Sequence, residues 1–563
     1  MDMIKHSGGF SLALGDVSFE FDENSVPEKS NGLFELCIKG NVPVPSIIKG
    51  DRIMLPVDDG IVLTADKKCG LSVPYIKGSF CSREGTMSMV IIERSRRYLL
   101  IALDSGINSE YKTEWENGMY SLRILCHEPR KVTYGIFNSL ADACKCYRGL
   151  KKNNPKTLAE KIRKIPEAKK LIGGGIFWVW GDNYDAVMYS DKNTELCPGT
   201  GDGLLSVAAK LHENGIEKAM FGLLTKDDAP YSEKLYKNFG YPCTQYDNYS
   251  DVLNPELLDV IPSNRARNCD YTARRMKDYP DGVQISEDGT LTSAWQIKGF
   301  DGKMHSQNAL CPIVAAERIK TEIPEILKQF PYYKGRFLDV FGVGLSACYS
   351  KEHPLTMSQC LKVKNSAYES ILDMGLITGT EDGFEDITDN LIYTEGLHSP
   401  VFFRGPDSGR TYPHTFNEKQ TECIREYMLN PEHRVPLWHL VYHENMLAFP
   451  YWGDSTEMSP ELISKKILFA CLYGCPPLYS FCAKDFPKLQ DIIISSYKKI
   501  TYIHEKVAEL PMTDFEILTD DYKVQKSVFG NRYEVIANFS DEKYVYENHV
   551  IEPNDLLFSG DMI

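Results

Sequence analysis

The sequence predicts a multidomain α/β protein: a (β/α)8 TIM-barrel catalytic domain flanked by an N-terminal β-sandwich and a small C-terminal β domain. The first ground is rhythm. From residue 171 onward, short apolar runs alternate with amphipathic helical stretches, which is how a parallel sheet with crossover helices is written. The second ground is contrast: before residue 150 and after residue 511 the chain reads as strands and turns. The length of 563 residues agrees, since roughly 150 residues per domain gives about three to four. An open doubly wound sheet is the alternative for the middle region.

Residues 1–150 form the expected N-terminal domain. Runs at 87–93 and 98–103 are β-branched or aromatic, and Asp58-Asp59-Gly60 is a hairpin signal between two more. Helical periodicity first appears at 138–150, and 151–170 is a charged helical linker. The barrel is expected over 171–510, with strands at Gly175–Trp180, 218–224, 242–246, 336–341, 376–379, 401–403, 436–442 and 474–479. Helices are expected at 203–214, closed by Gly215, and at 232–239. Residues 252–330 read as a charged, Gly- and Asp-rich insertion ending in a helix at Pro312–Gln329. The next helix, 356–374, carries a Thr356/Gln359 capping box, and a long helix spans 487–509. Residues 511–563 return to strands, with Gly530-Asn531 predicting a type II′ hairpin turn.

Composition excludes several functions. The net charge of −15, from 78 acidic and 63 basic residues, argues against a nucleic-acid binder that tracks phosphates with Lys and Arg. No apolar stretch is long and unbroken enough to span a bilayer, so no membrane partner is expected. The first 16 residues lack a secretory signal pattern, which predicts a cytoplasmic protein. The 16 cysteines contain no Cys-x-x-Cys pair and read as buried reduced thiols that serve packing.

Reactive residues of a (β/α)8 barrel stand just after its strands. Those positions hold Asp182 after the first strand, Asp247 after the third, Asp339 within the fourth and Glu381 after the fifth. His443 and Glu444 end the expected seventh strand, with Trp452 and Asp454 beyond. A charge inside an apolar strand, as at Asp339, is costly unless partnered or functional. Carboxylates converging with aromatics suit glycoside chemistry: one attacks the anomeric carbon, the other protonates the leaving oxygen. Asp339 and Glu381 are the expected pair. His439-Leu-Val-Tyr-His443 is discounted as a zinc site, because strand geometry would hold the two rings about 13 Å apart. Gly344-Leu-Ser346-Ala-Cys348 lacks the second glycine of a nucleophile elbow, and Gly199-Thr-Gly201-Asp-Gly203 does not match a dinucleotide fingerprint.

These residues carry a family resemblance. Arg336-Phe-Leu-Asp339-Val, Tyr349-Ser-Lys-Glu-His353-Pro354-Leu-Thr356, Gly375-Leu-Ile-Thr-Gly379-Thr-Glu381-Asp-Gly383 and Pro436-Leu-Trp-His-Leu-Val-Tyr442-His443 are among the pieces. With Tyr246-Asp247-Asn248-Tyr249, Tyr451-Trp452-Gly453-Asp454-Ser455 and Tyr473-Gly-Cys-Pro476-Pro477-Leu-Tyr479, they resemble glycoside hydrolase family 129 and, more distantly, family 101. The resemblance implies a retaining, exo-acting enzyme releasing α-linked N-acetylgalactosamine from Ser/Thr-linked or short glycopeptide substrates. It implies Asp339 as nucleophile and Glu381 as acid/base, with Asp247, Trp295, His443 and Asp454 shaping the sugar subsite. Ca2+ is associated with the family, and its ligands in this chain stay unassigned. The rivals are a retaining α-glycosidase for another sugar, such as α-galactose, and a catalytically silent carbohydrate-binding protein.

Overall fold

The computed structural model describes the chain except for residues 23–24, 70–74, 153, 182–200, 225–226, 262–274, 401–402, 404–417 and 561–563. Its centre is an eight-stranded parallel sheet whose strands follow chain order around the ring, save that the eighth pairs with the first. The strands are Gly175–Trp180, Ala219–Leu223, Cys243–Asp247, Tyr333–Leu338, Ile377–Glu381, Tyr393–Glu395, Leu447–Phe449 and Leu478–Cys482. This is the expected barrel order, closed everywhere but between strands seven and eight. At that seam the next segment covers the edge of strand eight: Thr456 N–H donates to Leu478 O at 2.8 Å, and Ser480 N–H to Glu457 Oε1 at 3.0 Å.

Two expected strands are corrected. The sixth is Tyr393–Glu395, whereas of 401–403 only Phe403 is among the described residues. The seventh is Leu447–Phe449, and Leu437–Tyr442 is a helix. Every residue of that helix is buried, so no polar face marks the 3.6-residue period and an apolar run reads equally well as a strand. Its start is tied to the N-terminal region by main-chain bonds, Trp438 N–H to Asp59 O at 3.0 Å and Val62 N–H to His433 O at 2.9 Å.

The interior of the ring is filled by Ile176, Trp178, Met220, Phe337, Ile377, Tyr393 and Leu447. Glycine makes room for the largest of these. A Cβ on Gly222 would stand 2.2 Å from the Trp178 ring, and one on Gly379 would stand 2.0 Å from Tyr393. The linker closes the bottom of the barrel, where Leu158, Ile165, Ala168, Leu171 and Ile172 join the same core. Helix Leu158–Lys164 has a Thr157/Glu160 capping box, and helix Met357–Asp373 has the expected Thr356/Gln359 box. The helix at Pro312–Gln329 has the predicted bounds, and the last helix of the barrel is Phe486–Val507.

Upstream of the barrel lie a three-stranded and a nine-stranded sheet, which meet at the edge-on contact of Phe21 with Tyr134. The Asp58-Asp59-Gly60 hairpin joins Arg52–Leu55 to Ile61–Thr64 as expected. Downstream, a four-stranded antiparallel sheet covers Met512–Ile517, Val524–Phe529, Tyr533–Asn538 and Asp555–Gly560. Its hairpin turn has positive φ at both Gly530 and Asn531, the requirement of type I′ rather than of the expected type II′. The described helices include none long and apolar enough to cross a membrane.

Candidate active site

Strands four and five bring the two key carboxylates together. Leu338 pairs with Thr380 across the ladder, so Asp339 and Glu381 are the next residues on neighbouring strands. Thr380 Oγ1 accepts from Tyr368 on the outer helix, at 3.1 Å, which places Thr380 on the outer face. Alternation along the strand then turns Glu381 inward. The same alternation runs through strand four, where Phe337 packs inside the ring and Asp339 follows two residues later. Immediately after each carboxylate the chain bends through the left-handed region, at Val340 (φ 62°) and Asp382 (φ 52°). Positive φ at a β-branched residue is strained, and such strain gathers where geometry is set by function.

Asp339 is held by its neighbours. Tyr246 donates its hydroxyl to Asp339 Oδ2 in a short bond, and Asn248 Nδ2 donates to the same oxygen at 3.3 Å. Both donors favour the ionised carboxylate that a nucleophile needs. Glu381 is buried at 5% exposure. Beside Glu381, paired with it across the ladder, Glu395 ends strand six, fully buried, with Trp178 Nε1 donating to its two oxygens at 3.1 and 3.0 Å. Burial first, and then the charges of Asp339 and Glu381, push the Glu395 carboxyl well above the usual range, which favours its neutral form.

A second support comes from outside the barrel. The loop at Ser82 and Arg83 of the N-terminal region lies on the loop after strand four, with Arg83 N–H on Val343 O at 3.0 Å. Arg83 Nη1 stands 3.5 Å from Asp382 Oδ2. Burial raises Asp382 to about 7 against the pull of Arg83, with the Glu381 charge also raising it. Gly396 makes this approach feasible, since a Cβ there would fall 2.1 Å from Asp382 Oδ1 and its φ is 123°. Sequence reading missed both Glu395 and Arg83. Glu395 sits on a strand too short to stand out, while Arg83 is almost 300 positions from the residue it meets.

The other expected site residues divide. Trp452 reaches the mouth, its ring 6.1 Å edge-on from Trp180, and Trp180 in turn stacks at 5.7 Å on Trp178. Trp295 lies on strand Ser293–Lys298 of the insertion, packed with Leu253, Leu257 and Ile261. That insertion springs from the rim, where Asn248 bridges Asp339 and Asp251. Asp247 faces the opposite side of strand three from Tyr246, accepts from the Tyr249 hydroxyl at 2.9 Å, and is 3.6 Å from buried Arg336. Asp454 is engaged by Lys466 at 3.0 Å and Ser399 at 3.1 Å. Asp182 lies outside the described residues.

His443 and Glu444 are a correction. They follow a helix and precede strand seven, which puts them at the base of the barrel, away from Asp339. His443 Nδ1 lies 2.7 Å from Leu510 O and its Nε2 lies 3.2 Å from Gly474 O. Leu158 N–H donates to Glu444 O at 2.7 Å. The helix also brings the His439 and His443 rings to 5.6 Å, where a strand would have separated them.

Two clusters of three potential metal donors occur among the described residues, Cys311/Cys348/His353 and His398/His439/Cys475. Both are sulfur and nitrogen sets. Ca2+ takes six to eight oxygens, so neither cluster fits the calcium associated with the family.

A barrel mouth of carboxylates and aromatics after parallel strands is an arrangement that glycoside hydrolases use. Residues 210–528, more than half of the chain, match the family model described as glycosyl hydrolases related to the GH101 family, GH129. The chain belongs to that family and is a glycoside hydrolase. Among solved structures it is similar to the ligand-free α-N-acetylgalactosaminidase NagBb of Bifidobacterium bifidum, with 17% identity over 96% of this chain and 89% of that one (TM-score 0.68). It is likewise similar to the GalNAc complex of NagBb, with 17% identity over 98% and 91% (TM-score 0.67). Among curated proteins, no sequence matches the chain.

Proposed function

We propose that this chain is a retaining, exo-acting α-N-acetylgalactosaminidase that acts on Ser/Thr-linked or short glycopeptide substrates. The observation that carries the mechanism is the register of strands four and five, which sets Asp339 and Glu381 at adjoining strand ends. Neighbouring strands lie about 4.8 Å apart. That suits a retaining pair, whose carboxyls stand about 5–5.5 Å apart, better than an inverting pair at about 6.5–9.5 Å. The sugar assignment draws on the family and on the likeness to a protein whose structure holds GalNAc.

In the first step Asp339 attacks the anomeric carbon as the glycosidic C–O bond breaks, and the Glu381 proton goes to the departing oxygen. In the second step Glu381, now ionised, takes a proton from water, whose oxygen displaces Asp339 from the sugar. Tyr246 and Asn248 keep Asp339 ionised and aimed. Glu395, whose burial favours the neutral form, supports the pair from the neighbouring strand without adding a second carboxylate charge beside Asp339. Trp180 and Trp452 offer apolar faces to the sugar ring, and Trp295 and Asp182 are the proposed remaining contacts.

The test is release of nitrophenol from a panel of α- and β-linked nitrophenyl sugars. The α-N-acetylgalactosaminide is the expected substrate, with activity lowered at least about 10^3-fold in Asp339→Asn. In Glu381→Gln the loss should be greater with a Ser-linked sugar than with nitrophenol, which departs without needing a proton. Cleavage of a different α-sugar would overturn the substrate, and activity surviving in Asp339→Asn would overturn the nucleophile.

A further inference from the structure

Cysteines in this chain read from sequence as packing residues, and the 14 described ones form no disulfide. Two of them are placed for more than packing. Cys311 caps the start of helix Pro312–Gln329, and Cys348 lies with His353 on the loop that begins at Asp339. Their donor atoms all fall within 4.8 Å of one another. His353 Nε2 is 2.8 Å from Asp281 O, and a carbonyl only accepts, so this nitrogen carries the proton. Nδ1 therefore presents its lone pair, and it points to Cys348 Sγ at 3.4 Å.

We infer that Cys311, Cys348 and His353 bind one zinc ion, which fastens the loop after strand four to the end of the insertion. Tetrahedral zinc with Zn–S about 2.3 Å and Zn–N about 2.0 Å sets sulfur and nitrogen about 3.5 Å apart, the separation seen between Cys348 and His353. The surroundings match as well. A ligating histidine ordinarily gives its other N–H to a carbonyl or carboxylate, as His353 does to Asp281. The Cys348 sulfur accepts the Ile285 N–H at 3.4 Å, and Cys311 stands at the positive end of a helix. The shell is apolar, made of Ile285, Ile313, Val314, Leu345, Leu355 and Val363, which suits a thiophilic ion rather than a hard one. Three protein donors leave the fourth position to water.

The other sulfur–nitrogen cluster lacks this character. There Asp59 binds the guanidinium of Arg434 and lies 2.9 Å from His398, so a cation already occupies the pocket.

The test is metal analysis of the full chain purified with zinc and under reduction. The wild type should carry about one zinc per chain by plasma mass spectrometry, and cobalt exchange should give thiolate-to-metal charge-transfer absorption. Cys348→Ser and His353→Ala should lower zinc retention after dialysis at least about tenfold. Cys348→His should keep the metal, as should Cys360→Ser, whose thiol belongs to the same apolar cluster. The wild-type and Cys360→Ser measurements do not depend on a ligand variant folding. A wild type that stays zinc-free after reconstitution would overturn the inference. So would a Cys311–Cys348 disulfide in the reduced preparation, or zinc retained in folded Cys348→Ser.

Discussion

The two ends of the barrel are made from the same eight strands and solve opposite problems. At the base, Lys161 of the linker is buried and gives its three protons to Thr388 O, Leu391 O and Asn445 O at 2.6–2.7 Å. Asn445 in turn donates to Pro155 O and Lys156 O. Each of these donors meets a main-chain acceptor, although Asn445 Oδ1 is buried with no hydrogen-bond partner among the described residues. At the mouth, Asp339, Glu381, Asp382 and Glu395 crowd one another, and two of the four are pushed up by burial and by their neighbours' charges. Asp382 Oδ1 is buried without a hydrogen-bond partner among the described residues. Satisfied polar groups stabilise a fold, while crowded acids hold protons in readiness for chemistry. The contrast shows why strand starts and strand ends cannot be exchanged when candidate residues are chosen.

The largest effect expected from this contrast is at the base. Burial draws the Lys161 ammonium down to about 7, while three accepting carbonyls take up its full donor capacity and hold its protons in place. Lys161→Met would leave those carbonyls buried and unmet, at a cost of about 3 kcal/mol or more. Urea denaturation should show a lower midpoint, and folded enzyme should keep its turnover. A neutral effect on stability would break the comparison, because the base would then be held by apolar packing alone.

A smaller effect is expected at the mouth. With Glu395 protonated, Glu395→Gln preserves charge and shape, so the pH–rate profile should keep its position and kcat should fall by less than about tenfold. Glu395→Ala leaves the Trp178 N–H without its acceptor and should cost about 1–3 kcal/mol in stability. A displaced pH profile in Glu395→Gln would mean that Glu395 carries charge, which would overturn its reading as a neutral support for Asp339 and Glu381.

How far the sequence foretold this arrangement depended on how each apolar run is buried. Strands one to five stood out because helices with a polar face separated them, whereas the eighth, expected at 474–479, lies at Leu478–Cys482 after a largely buried helix; Asp339 was conspicuous as a charge beside Phe337-Leu338. Leu437–Tyr442 was opaque because it is covered on every side. That single misreading carried His443 and Glu444 to the wrong end of the barrel, since residues that close a strand lie at the mouth and residues that precede one lie at the base. Asp247 was misplaced by a finer margin: it is the right distance along strand three, but alternation gives the inward position to Tyr246. Arg83 and Glu395 depend on contacts across 217 to 299 positions of sequence, which no local pattern encodes.

The smallest effect concerns the seam between strands seven and eight, where the 456–457 segment takes the place of a neighbouring strand. Glu457 accepts there from Ser480 N–H at 3.0 Å and Ser455 Oγ at 2.9 Å, and burial raises its carboxyl from 4.5 to about 7. The folded chain therefore holds a proton that the unfolded chain releases at lower pH. This contribution to stability is complete below about 4.5 and is lost as pH rises through about 7. Glu457→Gln keeps an oxygen for Ser480 and has no proton to lose. Between pH 5 and pH 8 the Tm of the wild type should fall more than that of Glu457→Gln, the remaining slope coming from groups such as Asp382. Parallel pH dependences would show that water reaches the seam and solvates the Glu457 charge, making this edge of the barrel part of the mouth rather than of its sealed wall.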